Sequence, residues 1–251
     1  MFKKMTFLMT ALFFLTGAQT LQNPVVDLST NIKSESAETL KVSETTLKTN
    51  KSRNKVRNAA VSVVTQYGSG SGTYFKIGEY HIVITAYHVV EGEQVVIVVG
   101  RNNEQVMAQP IIKSIKGDIA VLLVPKLASC QPLKLKSLPN RLKNNIDKLV
   151  GTVVTYTGFP AHHELLTVDG KIANIEHDFI IMHSYAWPGS SGSGVFDSKG
   201  RFIGVVSAVD VGRWHPSVPP ALVEDIVWVS PGWDISPKEI ELYLHNRGFR
   251  E

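Results

Sequence analysis

Short runs rich in valine and isoleucine recur between residues 59 and 230, and they constrain the fold more than any other feature. The runs are AAVSVVTQY, HIVITAY, EQVVIVVG, DIAVLLV, GTVVTYTGF, DGKIANI, DFIIMHSY, RFIGVVSA and VEDIVWVS. They lie roughly ten residues apart, glycine, asparagine and aspartate separate them, and no helical pattern lies between them. This spacing predicts an all-β fold, either a sandwich or a pair of barrels.

One segment interrupts the β pattern in the middle of the chain. Residues 129–150 are poor in alternating apolar residues and carry Pro132 and Pro139. Because proline cannot donate a hydrogen bond to a neighbouring strand, this segment is predicted to connect two β halves, at about 58–128 and 151–232.

A single helix is predicted, at residues 237–247. Ser236 can cap its N-terminus, Pro237 suits the first helical position and Glu239 completes a capping box. The apolar residues that follow share one face of the helix: Ile240, Tyr243 and Leu244.

The first 57 residues differ in composition from the rest. Lys3 and Lys4 precede an apolar run at 5–18 that ends in small residues, which is the order of a secretory signal peptide at 1–18. As a helix this run rises only about 21 Å, less than the roughly 30 Å core of a bilayer, although an uncleaved membrane anchor is the alternative. Residues 19–57 are polar, have no apolar period and are predicted to be a flexible basic linker. We therefore expect an exported protein, periplasmic or secreted.

Charge and metal-ligating residues argue against several classes of function. The formal net charge of +4 arises largely in residues 31–57, which hold seven Lys/Arg and three Glu, whereas the chain from Asn58 onward holds 17 Lys/Arg and 18 Asp/Glu. A nucleic-acid site would need a basic patch on the fold itself, so no nucleic-acid partner is expected. Cys130, the only cysteine, is predicted to be a buried thiol. His162 and His163 lack further candidate ligands, so no metal or other cofactor is expected.

The stretch PGSSGSGVFDSKGRFIGVVSA, which begins at Pro188, concentrates serine and glycine. A serine hydroxyl is a weak nucleophile that needs a general base and donors for the oxyanion, and glycines let the backbone of a tight loop supply those donors. The frame Gly-x-Ser-Gly fits only once, over Gly189, Ser191 and Gly192, so Ser191 is the candidate nucleophile. Taken alone, however, the stretch is better explained by a Gly/Ser-rich hairpin turn.

Two further stretches supply the groups that a nucleophilic serine needs. VITAYHVVEG places His88 after a β-rich run, and KGDIAVLLV places Asp118 at the start of another. A histidine can accept the serine proton, and a buried carboxylate can hold the imidazole in the required tautomer. The chain order His88, Asp118, Ser191 is that of the chymotrypsin type, not that of subtilisins or α/β-hydrolases. On an all-β background, these three residues predict a catalytic triad.

In these motifs the chain resembles trypsin-like serine proteases, and above all the HtrA/Deg branch. TAYHVVEG is similar to the branch's Thr-x-x-His-Val-Val block, GDIAVLLV to its Asp-Ile-Ala-Val block, and PGSSGSGVFDSKGRFIGV to its Pro-Gly-Asn-Ser-Gly-Gly block. GSGSGTYF at 68–75 resembles the glycine-rich turn that opens the fold. The resemblance covers about residues 58–232. It implies two antiparallel six-stranded, chymotrypsin-like β-barrels, followed here by the C-terminal helix, with the triad in the cleft between them.

The resemblance also implies a substrate site. The backbone N–H groups of Gly189 and Ser191 would form the oxyanion hole. The substrate pocket would include Tyr185 at its base, Val206 and Ser207. Tyr185 is not an aspartate, and Val206 stands where Glu-cleaving relatives carry a histidine, so the pocket is expected to accept small or medium apolar P1 residues.

Three departures from the family pattern stand out. Ser193 replaces the second glycine after the nucleophile and, being small, is expected to be tolerated. Ser190 replaces the aspartate that pairs with a new amino terminus in trypsin-like zymogens, so activation by terminal insertion is not expected. The insert DVGRWHPSVPPALVED at 210–225 is predicted to be a loop on the substrate side, and no PDZ domain is expected.

The sequence therefore predicts an exported serine endopeptidase that acts on polypeptides. One alternative is a non-catalytic peptide-binding module on the same fold. Another is a viral or phage maturation protease, in which the apolar run at 5–18 would be an anchor. Contact with a membrane is expected only if that run is not cleaved, and the sequence leaves the oligomeric state open.

Overall fold

Two closed antiparallel β-barrels make up most of the described chain. The structure is a computed structural model and describes residues 51–113, 117–136, 145–212, 215, 217 and 219–249. Within these ranges each barrel has six strands, and a helix follows the second barrel. The predicted fold class is confirmed.

The first barrel closes through the pairing of its first two strands. Its strands are β1 (Ala60–Thr65), β2 (Gly68–Ile77), β3 (Tyr80–Thr85), β4 (Val96–Val99), β5 (Gln105–Lys113) and β6 (Ala120–Leu123). The order around the barrel is β1-β4-β5-β6-β3-β2, and a two-residue strand, β7 (Leu133–Lys134), joins β2 in parallel. Because side chains alternate along a strand, Val83 of β3 packs inside the barrel, whereas Ile82 and Ile84 face outward into a second core.

The second barrel carries the long hairpin of the molecule. Its strands are β8 (Val153–Gly158), β9 (Leu166–Glu176), β10 (Phe179–His183), β11 (Gly194–Asp197), β12 (Phe202–Gly212) and β13 (Ala221–Pro231). The order around the barrel is β10-β13-β12-β11-β8-β9. The loop between β10 and β11 contains the serine- and glycine-rich stretch. It lies beside β12, because the Gly192 N–H donates a hydrogen bond to the Val206 carbonyl.

A shared apolar core joins the two barrels. Phe75 of the first barrel packs edge to face against Phe202 of the second, at 5.3 Å between ring centroids. Helix α2 (Pro237–Asn246) covers this core with Ile240 and Leu244, both buried. The side chain of Ser236 caps α2 by accepting a hydrogen bond from the Glu239 N–H, as its sequence predicts.

The predicted flexible linker extends too far toward the barrel. Residues 51–59 are helical (α1), and Val56 is buried in the core shared by the barrels. Arg53 forms an ion pair with Asp169 at 2.5 Å. Ala59 is also buried, and Arg57 donates a hydrogen bond to Thr167, so α1 packs against the barrels although the segment shows no apolar period. The signal peptide and most of the predicted linker lie outside the described residues, and no helix within the described ranges is long and apolar enough to cross a bilayer.

The segment 210–225, predicted as a loop, is largely strand. Asp210 pairs with Val223 and Gly212 pairs with Ala221, so β12 and β13 extend well beyond the barrel. The three prolines of the segment all lie between the paired residues, which leaves the apolar residues on both sides free to form the hairpin.

Candidate active site

His88 and Asp118 meet because the strands that carry them are neighbours. β3 and β6 are antiparallel, with Thr85 opposite Ala120. His88 lies in a 3₁₀ turn directly after β3, and Asp118 lies directly before β6. The ring Nδ1 of His88 is 2.6 Å from Oδ2 of Asp118, and the backbone N–H of His88 donates to Oδ1 at 2.8 Å. One carboxylate therefore fixes both the backbone and the ring of the histidine.

Two buried serines of the second barrel hold Asp118 from the other side. The Ser207 hydroxyl donates to Oδ2 of Asp118 at 2.6 Å and lies 2.8 Å from the Ser230 hydroxyl. The Asp118 N–H donates to Ser230 Oγ at 3.2 Å. Ser207 was predicted to line the substrate pocket, but its side chain belongs to this network instead. Ser230 carries no motif that would have identified it from the sequence.

Hydrogen bonding shifts the pKa values of the histidine and the aspartate apart. The hydrogen bond to Asp118 raises the pKa of His88 above its ordinary value of 6.5, although burial acts in the opposite direction. Burial would raise the pKa of Asp118, but hydrogen bonds from the His88 ring, the Ser207 hydroxyl and the His88 N–H lower it below its ordinary value. Asp118 is therefore a carboxylate at neutral pH, and Nδ1 of His88 carries the proton between them.

Ser191 is the accessible serine of its loop. Ser190 and Ser193 are 1% and 0% exposed, whereas Ser191 is partly exposed. The Ser191 hydroxyl donates a long hydrogen bond of 3.5 Å to the backbone carbonyl of Ser207. Among the described residues no hydrogen bond joins it to His88, so attack requires the hydroxyl to turn toward Nε2. A bond of this length is weak and opposes that rotation little.

The loop before Ser191 leaves two backbone donors free. The Pro188 carbonyl accepts a hydrogen bond from the Ala161 N–H at 2.7 Å, and the Ser190 carbonyl accepts one from the Ser193 N–H at 2.9 Å. In a trans peptide the carbonyl and the following N–H point in opposite directions. The N–H groups of Gly189 and Ser191 therefore point away from these partners, and within the described chain neither donates to another protein group.

A sequence profile of the trypsin-like peptidase domain matches residues 70–205, which is more than half of the chain. The matched region contains His88, Asp118 and Ser191. The chain belongs to the trypsin-like peptidase domain family. This membership makes the protein a serine endopeptidase, an enzyme that hydrolyses peptide bonds.

Solved protease structures resemble this trypsin-like peptidase in fold. The serine endoprotease from Yersinia pestis superposes with a TM-score of 0.58 at 18% identity, over 79% of this chain and 67% of the other. The HtrA-type protease AlgW, solved with a tripeptide, gives 0.59 at 21% identity, over 80% of this chain and 64% of its own. Rv3671c from M. tuberculosis H37Rv, in an inactive mutant form, gives 0.54 at 17% identity, over 80% and 92%. At these identities the likeness shows the fold alone, and the chain spans about two thirds of the first two proteins.

A pocket of about 280 Å³ opens beside Ser191 in the trypsin-like peptidase. The described residues that line it carry no charged side chain; they are Ala186, Trp187, Pro188, Ser190, Ser191, Val206, Ala208, Val209 and Leu222. Val206 is among these residues, and Tyr185 is not. Ser184 and Ala186, which both donate backbone hydrogen bonds to β13, are buried, and because side chains alternate along an extended segment, that of Tyr185, 50% exposed, turns outward. The structure therefore does not place the Tyr185 side chain among the residues that line this pocket.

The described hydrogen-bond partners of the Ser190 side chain are neutral groups. Its hydroxyl accepts a hydrogen bond from the Trp187 N–H at 3.2 Å and lies beside the hydroxyl of Tyr156. Burial raises the pKa of Tyr156, which stays protonated and donates to the Tyr185 carbonyl at 2.6 Å. The position that would bind an inserted amino terminus thus offers hydroxyl and backbone groups rather than a carboxylate.

Ser193 fits its position because the neighbouring strand carries a glycine. A Cβ atom on Gly158 would overlap the Ser193 hydroxyl. That hydroxyl is buried and has no hydrogen-bond partner within the described ranges.

In the part of the chain that the structure describes, no group of three or more His, Cys, Asp or Glu side chains converges as the ligands of a metal ion would.

Proposed function

We propose that this trypsin-like peptidase is an exported serine endopeptidase that cleaves polypeptides through an acyl-enzyme. The observation that carries the proposal is the loop around Ser191. It presents one accessible hydroxyl, and within the described part of the chain the N–H groups of Gly189 and Ser191 donate to no protein group. The pair of His88 and Asp118 supplies the base that this hydroxyl needs.

In the first half of the reaction, Ser191 Oγ attacks the carbonyl carbon of the scissile bond. Nε2 of His88 takes the hydroxyl proton, and the N–H groups of Gly189 and Ser191 bind the oxyanion. Collapse of the tetrahedral intermediate breaks the C–N bond, and His88 returns the proton to the leaving amine. In the second half, a water molecule, deprotonated by His88, attacks the acyl-enzyme and releases Ser191.

The pocket beside Ser191 supports a preference for small or medium apolar P1 residues. Its walls are apolar, with Val206, Val209 and Leu222 contributing aliphatic side chains. A lysine or arginine in P1 would meet no carboxylate among the described residues of the lining, and burying an unpaired charge costs several kcal/mol.

A peptide library treated with the full chain tests both the activity and this preference. We expect cleavage after Ala, Val or Leu, and a profile dominated by Lys/Arg or Glu would refute the proposed pocket. Ala186→Asp should shift cleavage toward Lys/Arg, because the Ala186 side chain faces the pocket. Tyr185→Asp, one residue earlier but facing outward, should leave the profile unchanged.

Export is proposed from the lysines and apolar run of residues 1–18. When the protein is expressed in a bacterium, it should be recovered outside the cytoplasm. Its mass, measured on the intact protein, should correspond to a chain from which about the first 18 residues have been removed. Recovery of the complete chain from the membrane fraction would instead support the anchor alternative.

A further inference from the structure

Ser71 connects the first barrel to the loop of the candidate oxyanion hole. It lies on β2 between two glycines and is completely buried. Its sequence neighbourhood indicates only a glycine-rich turn, and no step of the proposed reaction uses it.

Three hydrogen bonds run from Ser71 to the second barrel. The Ser71 hydroxyl donates to the Gly189 carbonyl at 2.7 Å and accepts from the Phe159 N–H at 2.9 Å. The Ser71 N–H donates to the Ser191 carbonyl at 2.7 Å. On its own barrel, the Ser71 carbonyl accepts from the Thr85 hydroxyl at 2.7 Å. The side chain therefore holds the carbonyl that follows one candidate oxyanion donor, and its backbone holds the nucleophile.

These bonds restrain a part of the chain that could otherwise rotate. Gly189 has a φ of +93°, and glycine adopts positive and negative φ with similar ease. The Ala161 N–H fixes the peptide before Gly189, through the Pro188 carbonyl. The Ser71 hydroxyl fixes the peptide after it. With both flanking peptides held, the Gly189 N–H keeps one direction.

The surroundings of Ser71 have space for a hydroxyl and for little more. A Cβ atom on Gly158 would lie 2.6 Å from Ser71 Oγ. A Cβ atom on Gly192 would overlap the Ser71 carbonyl oxygen. Two glycines of the second barrel thus allow the close approach that the three hydrogen bonds require.

We propose that Ser71 is a positioning residue that keeps the oxyanion donors of Gly189 and Ser191 directed at the substrate. This inference rests on the proposed function, in which those donors bind the oxyanion. A serine that merely satisfied buried backbone groups would affect folding stability but not the rate of the folded enzyme.

Ser71→Ala in the full chain separates these two roles. We expect kcat to fall about 10- to 100-fold, somewhat less than for loss of an oxyanion donor itself, with KM changed less than about threefold. A peptide boronic acid, whose adduct on Ser191 places an oxygen in the oxyanion hole, should lose affinity by the same factor as kcat/KM. Ser193→Ala is the matched control, since Ser193 is as buried as Ser71 and lies in the loop that Ser71 contacts, but its hydroxyl has no partner in the described chain. It should change neither quantity.

A folded Ser71→Ala protein with wild-type kcat would overturn the proposal, as would a reduced kcat with unchanged boronate affinity. If Ser71→Ala does not fold, Thr85→Val, which loosens only the Ser71 backbone, must lower kcat and boronate affinity together by a smaller factor. If neither kcat nor boronate affinity fell in Thr85→Val, the proposal would likewise be overturned. A wild-type protein that neither cleaves peptides nor binds the boronate would instead refute the proposed function.

Discussion

Ser191→Ala should lower kcat for peptide hydrolysis by about 10⁵- to 10⁶-fold, because it removes the only accessible nucleophile of the loop. The folded structure should be retained, since the hydroxyl makes a single long hydrogen bond, to the Ser207 carbonyl. Rates on a fluorogenic peptide, with circular dichroism and thermal unfolding of the same preparation, measure both effects.

The neighbouring serines provide the controls for that experiment. Ser190→Ala removes the acceptor of the Trp187 N–H and should reduce activity only in part. Ser193→Ala removes a buried hydroxyl without a described partner and should retain activity. If Ser191→Ala remained active while either control lost its activity, the nucleophile would be misassigned.

Asp118→Asn should lower kcat by about 10⁴-fold and shift the acid limb of the pH profile to lower pH. In the wild type, kcat/KM should rise with pH through an apparent pKa above 6.5, because His88 must be neutral to act as a base. Loss of the carboxylate leaves burial, which lowers the pKa of His88, so the limb should move toward or below that value. An unmoved limb would contradict the assigned pair.

A nearby carboxylate offers a matched control for the pH shift. Glu91 is exposed and makes the smallest contribution to the raised pKa of His88. Glu91→Gln should therefore shift the limb downward only slightly and leave kcat almost unchanged.

The same pair predicts how folding stability depends on pH. Because the pKa of His88 is raised in the folded protein, this residue stabilises the fold fully at pH values below 6.5, its pKa in the unfolded chain. This contribution is lost as the pH rises through the folded pKa. The lowered pKa of Asp118 stabilises the fold above its unfolded value of 3.8, and this contribution is lost as pH falls through the folded pKa. The extra stability of wild type over Asp118→Asn should therefore be largest between these two unfolded values.

Residues whose chemistry and spacing are local could be predicted from the sequence. One apolar run ends just before His88, and another begins just after Asp118. Ser191 lies in a glycine-rich frame. The structure brings His88 and Asp118 into contact because their strands pair. The cap of α2 at Ser236 is likewise a local pattern, and its geometry agrees with the prediction.

Features that depend on packing between distant segments could not be predicted. The three glycines of β2 are typical of a turn, but the segment is a strand. At least Gly72 is needed there for packing, because a Cβ atom on it would lie 2.6 Å from the Val83 side chain. β5 contains Pro110, which a strand accommodates here at a change of register. Tyr185 is exposed because its neighbours Ser184 and Ala186 are buried beside β13, and no local pattern encodes those long-range contacts. Ser207 and Ser230 gain their role only where the second barrel meets Asp118.

Labelling of the full chain with a fluorophosphonate, followed by peptide mass spectrometry, tests whether Ser191 is an activated nucleophile. The reagent phosphonylates only a serine that is activated by a base and supported by an oxyanion hole. One adduct is expected, on Ser191, and His88→Ala should abolish it. Absence of label on the folded protein would support the peptide-binding module instead, and an adduct on Ser190 or Ser193 that persists in Ser191→Ala would contradict the assigned nucleophile.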